Sequence, residues 1–230
     1  MRSVRDALHL VKDPNLHREA TVFAAQEGQH ARAHTEHFDL LRKQGYKIDH
    51  LLTRLNSRLD WVDRHLPVTL RVAVTAASEH ITAVVAREIL GREIDPFTDV
   101  DPRLRSLFRW HALEELEHKA VAFNVMKEAN VSQPVRIAGA LIAFLAMMMR
   151  WKAATRMLCK QDGLTVIDMV VAKRRAVKSG IDMTDWALLT RFFPYLLFKH
   201  HPDDIDDGAL IAKVVPEFAH GVLSRKRQVA

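Results

Sequence analysis

Two short acid–imidazole pairs stand out in this chain, Glu27-Gly28-Gln29-His30 and Glu115-Leu116-Glu117-His118. A glutamate and a histidine three residues apart lie on one side of a helix, one turn from each other. Each pair can therefore present a carboxylate and an imidazole to the same point. A single pair of this kind is usually a solvated ion pair. Two pairs together with Glu79 make a set of oxygen and nitrogen donors that suits divalent transition metals, and the absence of sulfur favours iron or manganese over zinc. Shared carboxylates hold two ions about 3.5–4 Å apart. The expectation is a site for two divalent metal ions, with Glu27, His30, Glu79, Glu115 and His118 as ligands.

The elements that must position these residues are marked by clear start and stop signals. Asp13-Pro14 opens a helix running to Gly45, because aspartate satisfies free N–H groups and proline suits a first helical turn. Asp49 opens a second helix that stops before Pro67, and a third spans about Pro67 to Gly91. Asp101-Pro102 repeats the cap and opens a fourth, predicted to last to about Asn130. Ser132 and Pro134 open a fifth, ending near Gly163, and two or three shorter helices follow, with a break at His201-Pro202. No segment alternates with period two, so the predicted class is all-α.

Along the first long helix the inward line reads Leu16, Ala20, Phe23, Glu27, His30, His34, His37 and Leu41, stepping by four and three. The third gives Val68, Val72, Thr75, Glu79, Thr82, Ala86 and Ile89. The fourth gives Leu104, Phe108, His111, Glu115, His118, Ala122, Val125 and Ala129. Polar groups thus occupy the middle of three core lines, where unpaired charge would cost several kcal/mol per ion. A cation neutralises the carboxylates and takes up the imidazole lone pairs. Two Glu-x-x-His pairs with further glutamates from neighbouring helices is the ferritin-like dimetal arrangement. The expected architecture is a ferritin-like bundle within one all-helical domain, residues 1–230, with the site on helices 14–130 and a helical part at 131–230.

Around the ligands, Glu114 and Glu117 are candidate general bases. His34 and His111 each lie one turn from a ligand, as extra ligands or as groups that orient the ligands. His37 is expected at the rim, and His80 as a hydrogen-bonded structural histidine off the line. Trp110 and the Met147-Met148-Met149 cluster read as core packing, the methionines also suiting an apolar pocket.

The remaining composition sets bounds. One cysteine, Cys159, leaves no internal disulfide and fits a reducing cytoplasm. The start, MRSVRDALHL, lacks a signal peptide's apolar core. The longest uninterrupted apolar stretch, Ile137–Met149, is short of the ~20 residues that cross a bilayer. It reads as a buried helix, with peripheral membrane association through residues 135–151 as the second reading, Arg136, Arg150 and Lys152 gripping head groups. The net charge is +6, and the basic runs Lys173-Arg174-Arg175 and Ser224–Arg227 carry no nucleic-acid motif. The partner expected is a small-molecule substrate and no nucleic acid, while the sequence leaves association with a second copy of the chain open.

Residues QEGQHARAH (Gln26–His34), TAASEHITA (Thr75–Ala83) and above all RWHALEELEHKAVAF (Arg109–Phe123) resemble the bacterial family of predicted metal-dependent hydrolases. His201–Asp207, HPDDIDD, resembles a degraded form of that family's C-terminal motif, with Asp203 where an aromatic usually follows the proline. The resemblance covers most of the chain and carries the family's ligand pattern onto Glu27, His30, Glu79, Glu115 and His118. It also implies a sixth, glutamate ligand in a segment that would precede Met1. A chain complete at Met1 would bind one metal more weakly than the other, unless Asp6, His34 or His111 takes the vacant place. Three functions are open at this point: metal-assisted hydrolysis, oxygen activation at a di-iron core acting on a small apolar substrate, and metal binding without turnover.

Overall fold

The computed structural model describes residues 2–92, 95–98, 100–178 and 185–218, and every regular element among them is helical. In chain order these are α1 (Arg2–Ala7), α2 (Pro14–Lys43), α3 (Asp49–His65), α4 (Val68–Leu90), α5 (Pro102–Glu117), α6 (Val121–Glu128), α7 (Gln133–Gln161), α8 (Val166–Lys178), α9 (Asp185–Phe192) and α10 (Gly208–Val214). Short 3₁₀ turns follow α1 and α9 and precede α10. The protein is all-α, as the spacing predicts.

Both aspartate-proline starts form as expected. The Asp13 side chain accepts from the Asn15 amide at 2.9 Å, and Asp101 accepts from the Arg103 amide at 2.9 Å. Glu128 then ties the start of α2 to the end of α6, accepting from the amides of Lys12 at 2.7 Å and Asp13 at 2.8 Å.

The fourth predicted helix requires correction. It does not run unbroken to Asn130 but stops at Glu117 and resumes at Val121, with His118 closing α5. At this turn the Lys119 side chain is buried. Its ammonium donates to the Ile205 carbonyl at 2.5 Å and to Asp207 at 2.6 Å, contacts that hold the turn to the C-terminal segment.

At the centre lies α4, which has no solvent face of its own: Val72, Ala73, Ala76, Glu79, His80, Ile81, Ala83 and Val84 are all buried. It packs along α7, α5 and α6. The approach to α7 is close because small residues meet there. A Cβ placed on Gly139 would lie 2.6 Å from the Ala73 Cβ and 2.8 Å from its backbone carbon. α1, which the helix signals do not reveal, lies against α4, joined by a hydrogen bond between the Ser3 and Thr75 hydroxyls at 2.7 Å and by Asp6 with Arg71 at 2.6 Å.

The HPDDIDD segment acts as a brace. His201 caps its own turn and meets Asn124 of α6 at 2.9 Å, while Asp207 takes Arg87 of α4 at 2.6 and 2.9 Å and Lys119 at 2.6 Å. Burial works to raise the Asp207 carboxyl, but the hydrogen bonds from Arg87 and Lys119 outweigh it and hold it below its ordinary value of 3.8.

Two expectations follow. Gly139→Ala gains about 1 kcal/mol of helix propensity but costs about 1–3 kcal/mol of overpacking against the α4 backbone. A net loss of stability, read from the chemical denaturation midpoint, is the expected result. Asp207→Asn leaves the buried Lys119 and the half-buried Arg87 without this anion and costs about 3 kcal/mol at neutral pH. Because the folded-state pKa is depressed, this stabilisation is present above the ordinary aspartate value and is lost as the pH falls through the folded one. Denaturation curves should therefore show a constant gap between variant and native protein near neutrality that closes in acid.

Candidate metal centre

Three helices bring the predicted residues together. Glu27 and His30 come from α2, Glu79 from α4, and Glu115 and His118 from the end of α5. Ligand atoms of Glu27, His30, Glu115 and His118 all lie within 4.8 Å of one another. Glu79 sits beside this group, with its Oε2 3.6 Å from His118 Nδ1. His30, Glu79, Glu115 and His118 are buried, while the Glu27 side chain keeps 15% exposure.

The two imidazoles differ in their surroundings. His30 Nδ1 faces Glu27 at 3.0 Å and Glu115 at 4.0 Å, and its Nε2 meets Glu114 at 2.5 Å. Burial works against the imidazolium, but the hydrogen bonds to Glu114 and Glu27 prevail and raise its pKa to about 10. His118 makes no hydrogen bond through either nitrogen. Its Nε2 lies 3.6 Å from Glu27 and its Nδ1 3.6 Å from Glu79, with Phe23 packed at 4.8 Å between ring centres. Burial lowers its pKa against the opposing pull of Glu115 and Glu27.

The carboxylates divide in the same way. Glu79 Oε2 has no donor, and burial together with Glu115 and Glu27 pushes its carboxyl well above the ordinary range. For Glu115 burial also raises the pKa, but His111 at 2.7 Å and the Thr82 hydroxyl at 2.5 Å bring it below the ordinary value. His111 Nδ1 in turn meets His34 Nε2 at 3.0 Å. Since a carboxylate only accepts, His111 donates to Glu115 and receives from His34. His34 stays neutral, its pKa lowered to about 4 by burial and by His111.

A cation fits this donor set. His118 and its facing carboxylates, 3.6 Å apart, are too far for a hydrogen bond. Two donors each about 2.1 Å from one ion span such a gap. Three carboxylates against two imidazoles also leave the interior short of positive charge, and His118 and Glu79 both have unpartnered buried atoms facing the gap.

The neighbouring candidates are distributed differently. Glu114 faces His30, and it also lines a cleft of about 1450 Å³ between α2 and α5, beside Trp110, Arg32 and His37. Glu117 is exposed. Asp6 is turned to Arg71, outside the cluster. His80 corrects its expectation. It is buried among Phe192, Tyr195 and His200, and neither of its nitrogens is hydrogen-bonded. It is neutral, its pKa lowered to about 3 by burial and His200. Lys119 and Asp207, which hold the turn at His118, are absent from the sequence-derived set. A lysine directly after a buried ligand candidate and an aspartate at the end of HPDDIDD were the available signals.

An all-helical fold with a buried carboxylate–imidazole cluster defines the class as a helical protein with a candidate metal site. The family described as predicted metal-dependent hydrolase matches residues 1–206, and the chain belongs to it. No curated protein and no solved structure matches the chain.

If His118 is a ligand, His118→Ala lowers the bound metal and destabilises the metal-loaded protein by about 2 kcal/mol, roughly 4–8 °C in Tm. In the metal-free protein the same change relieves a buried polar group and leaves Tm level or higher. Equal shifts with and without metal would count against the ligand role.

Proposed function

We propose that this protein is a metal-dependent hydrolase of a small molecule, in which Glu27, His30, Glu79, Glu115 and His118 hold two divalent ions within a ferritin-like helix arrangement. The carrying observation is Glu114, which holds His30 at 2.5 Å and also borders the cleft. Glu27 supports a paired site, because its Oε1 lies 3.0 Å from His30 and 3.6 Å from His118, between the two imidazoles. A bound divalent ion lowers the pKa of water and polarises a scissile bond.

The chain's own groups supply the rest. Glu114 accepts the Nε2 hydrogen of His30 and so turns Nδ1 toward Glu27 and Glu115, an orientation that a carboxylate behind a ligand histidine typically enforces. A carboxylate has about four lone-pair positions. Glu114 can therefore keep hold of His30 while one of its oxygens takes a proton from water at the cleft. His111 and Thr82 keep Glu115 ionised, and Phe23 shields His118 from solvent. Oxygen activation is the second reading. It rests on the same sulfur-free donors, which suit iron.

The test begins with elemental analysis of the purified chain. Protein loaded with zinc, manganese or, without air, iron is then assayed on a panel of simple esters, amides and phosphoesters with an oxygen electrode in place. Metal-dependent product release with no oxygen uptake supports hydrolysis; oxygen uptake coupled to substrate loss would replace it with the second reading. Glu114→Gln should lower hydrolytic turnover by about 10²–10⁴-fold, the usual worth of a general base, with metal content retained. Unchanged turnover would remove Glu114 from the reaction.

A further inference from the structure

Of the 21 large apolar side chains exposed among the described residues, 16 fall between Leu141 and Phe198. The chain's excess charge lies in the same region. Residues 133–178 hold nine lysines and arginines against two aspartates, enough to account for the whole net +6 and leave the remainder close to neutral.

The two properties run along the same lines. On α7 the exposed positions Leu141, Leu145, Met149, Lys152 and Arg156 step by four or three, so they share one side of the helix. This line is apolar in its first part and cationic in its second. α8 repeats the order on the line Ile167, Val171, Arg174 and Lys178, and the adjoining line Val166, Val170, Lys173 and Val177 sets one cation among valines, all of them exposed. No residue of this 13-residue helix is buried. A helix of that length is marginal in water without a surface to pack on, so α8 as it stands wants a partner.

The other side of α7 is already committed. Gly139, Ala140, Ala143 and Met148 are buried, and Gly139 abuts the α4 backbone. By length and composition α7 could cross a bilayer, with an 18-residue window of mean hydropathy 1.5. Its packing on α4 leaves one face for lipid, which suits a helix lying in an interface. Arg136, an expected head-group ligand, is instead buried and donates to the carbonyls of Tyr195 and Leu197. The accessible cations lie further along α7 and on α8.

We propose that α7 and α8 together form a docking face for an anionic membrane surface. The apolar positions enter the boundary of the acyl chains, and Lys152, Arg156, Lys173, Arg174 and Lys178 reach the head-group phosphates while their stems cover apolar surface. A second copy of the chain is the rival occupant. The named lines carry no acidic residue, so two-fold packing of this face on itself would set its cations against like charge or apolar surface, whereas an anionic surface complements them.

The test is co-sedimentation of the full chain with vesicles of phosphatidylcholine alone, or with about one third phosphatidylglycerol, at low and high salt. Binding confined to the anionic vesicles and released by salt is the expected result. Each cation near such a surface strengthens binding about fivefold, so Lys173→Glu with Arg174→Glu should weaken it by at least about 25-fold. Ile167→Asp with Val171→Asp should weaken it as well, and because α8 buries nothing, Tm should hold in both variants. The proposal is overturned by absent binding at low salt, by equal binding to neutral vesicles or by retention of the protein in high salt. Variants that bind like the native chain, or a solution dimer dissociated by Ile167→Asp with Val171→Asp, would overturn it too.

Discussion

Three carboxylates gathered around two imidazoles in a helix interior are the constraint to which the surrounding structure answers. Charge removed from water costs several kcal/mol per ion unless it is paired and hydrogen-bonded. The pairing here is uneven. Glu115 has His111 and Thr82 as donors, and His30 is held between Glu27 and Glu114. Glu79 and His118 face each other at 3.6 Å with no hydrogen bond between them. The better satisfied half would hold its geometry without an ion. The other half is held in place by the packing around it, and an added cation would give its unpartnered oxygen and nitrogen atoms a partner.

That packing works through α4 and the turn after α5. α4 can sit between α5 and α7 because Ala73, Ala76, Ala77, Gly139, Ala140 and Ala143 let the helices approach closely, which places Glu79 in the interior without a solvent-facing side. The turn at His118 is fixed from a distance by Lys119 on Asp207, which also holds Arg87 of α4. A buried ion pair contributes little net stability, and its better attested use is to fix one arrangement among several. Here the arrangement fixed is the position of His118 relative to Glu79, since the cation next to His118 and a cation two turns beyond Glu79 share a single carboxylate.

What could be read from the sequence was local or periodic. Asp13 and Asp101 are legible as caps because their partners are two residues away. Glu27, His30, Glu79, Glu115 and His118 are legible as inward groups because a helix repeats every 3.6 residues. The break at His118 is not legible, since the group that holds Lys119 there lies 88 residues on. Arg136 misleads for a related reason: a cation bordering an apolar run reads as a lipid contact, while the carbonyls that bury it lie about sixty residues further along. His80 adjoins a ligand candidate but turns to the other side of α4, where aromatic rings from the C-terminal segment surround it. Helical periodicity identifies one face well and says little about a helix that is buried on every side.

That all-round burial of α4 gives the molecule two dissimilar sides. Toward α2 and α5 it presents Glu79 to a polar interior that borders the cleft through Glu114. Toward α7 it presents alanines to a helix whose far side is apolar and cationic. The donor residues and the exposed lines of α7 and α8 have no residue in common, and α4 lies between α5 and α7. A buried helix with small residues on one side and one ligand candidate on the other passes on position rather than charge. Any influence of the outer face on the centre would therefore act through the seating of α4, and so through the distance between Glu79 and His118.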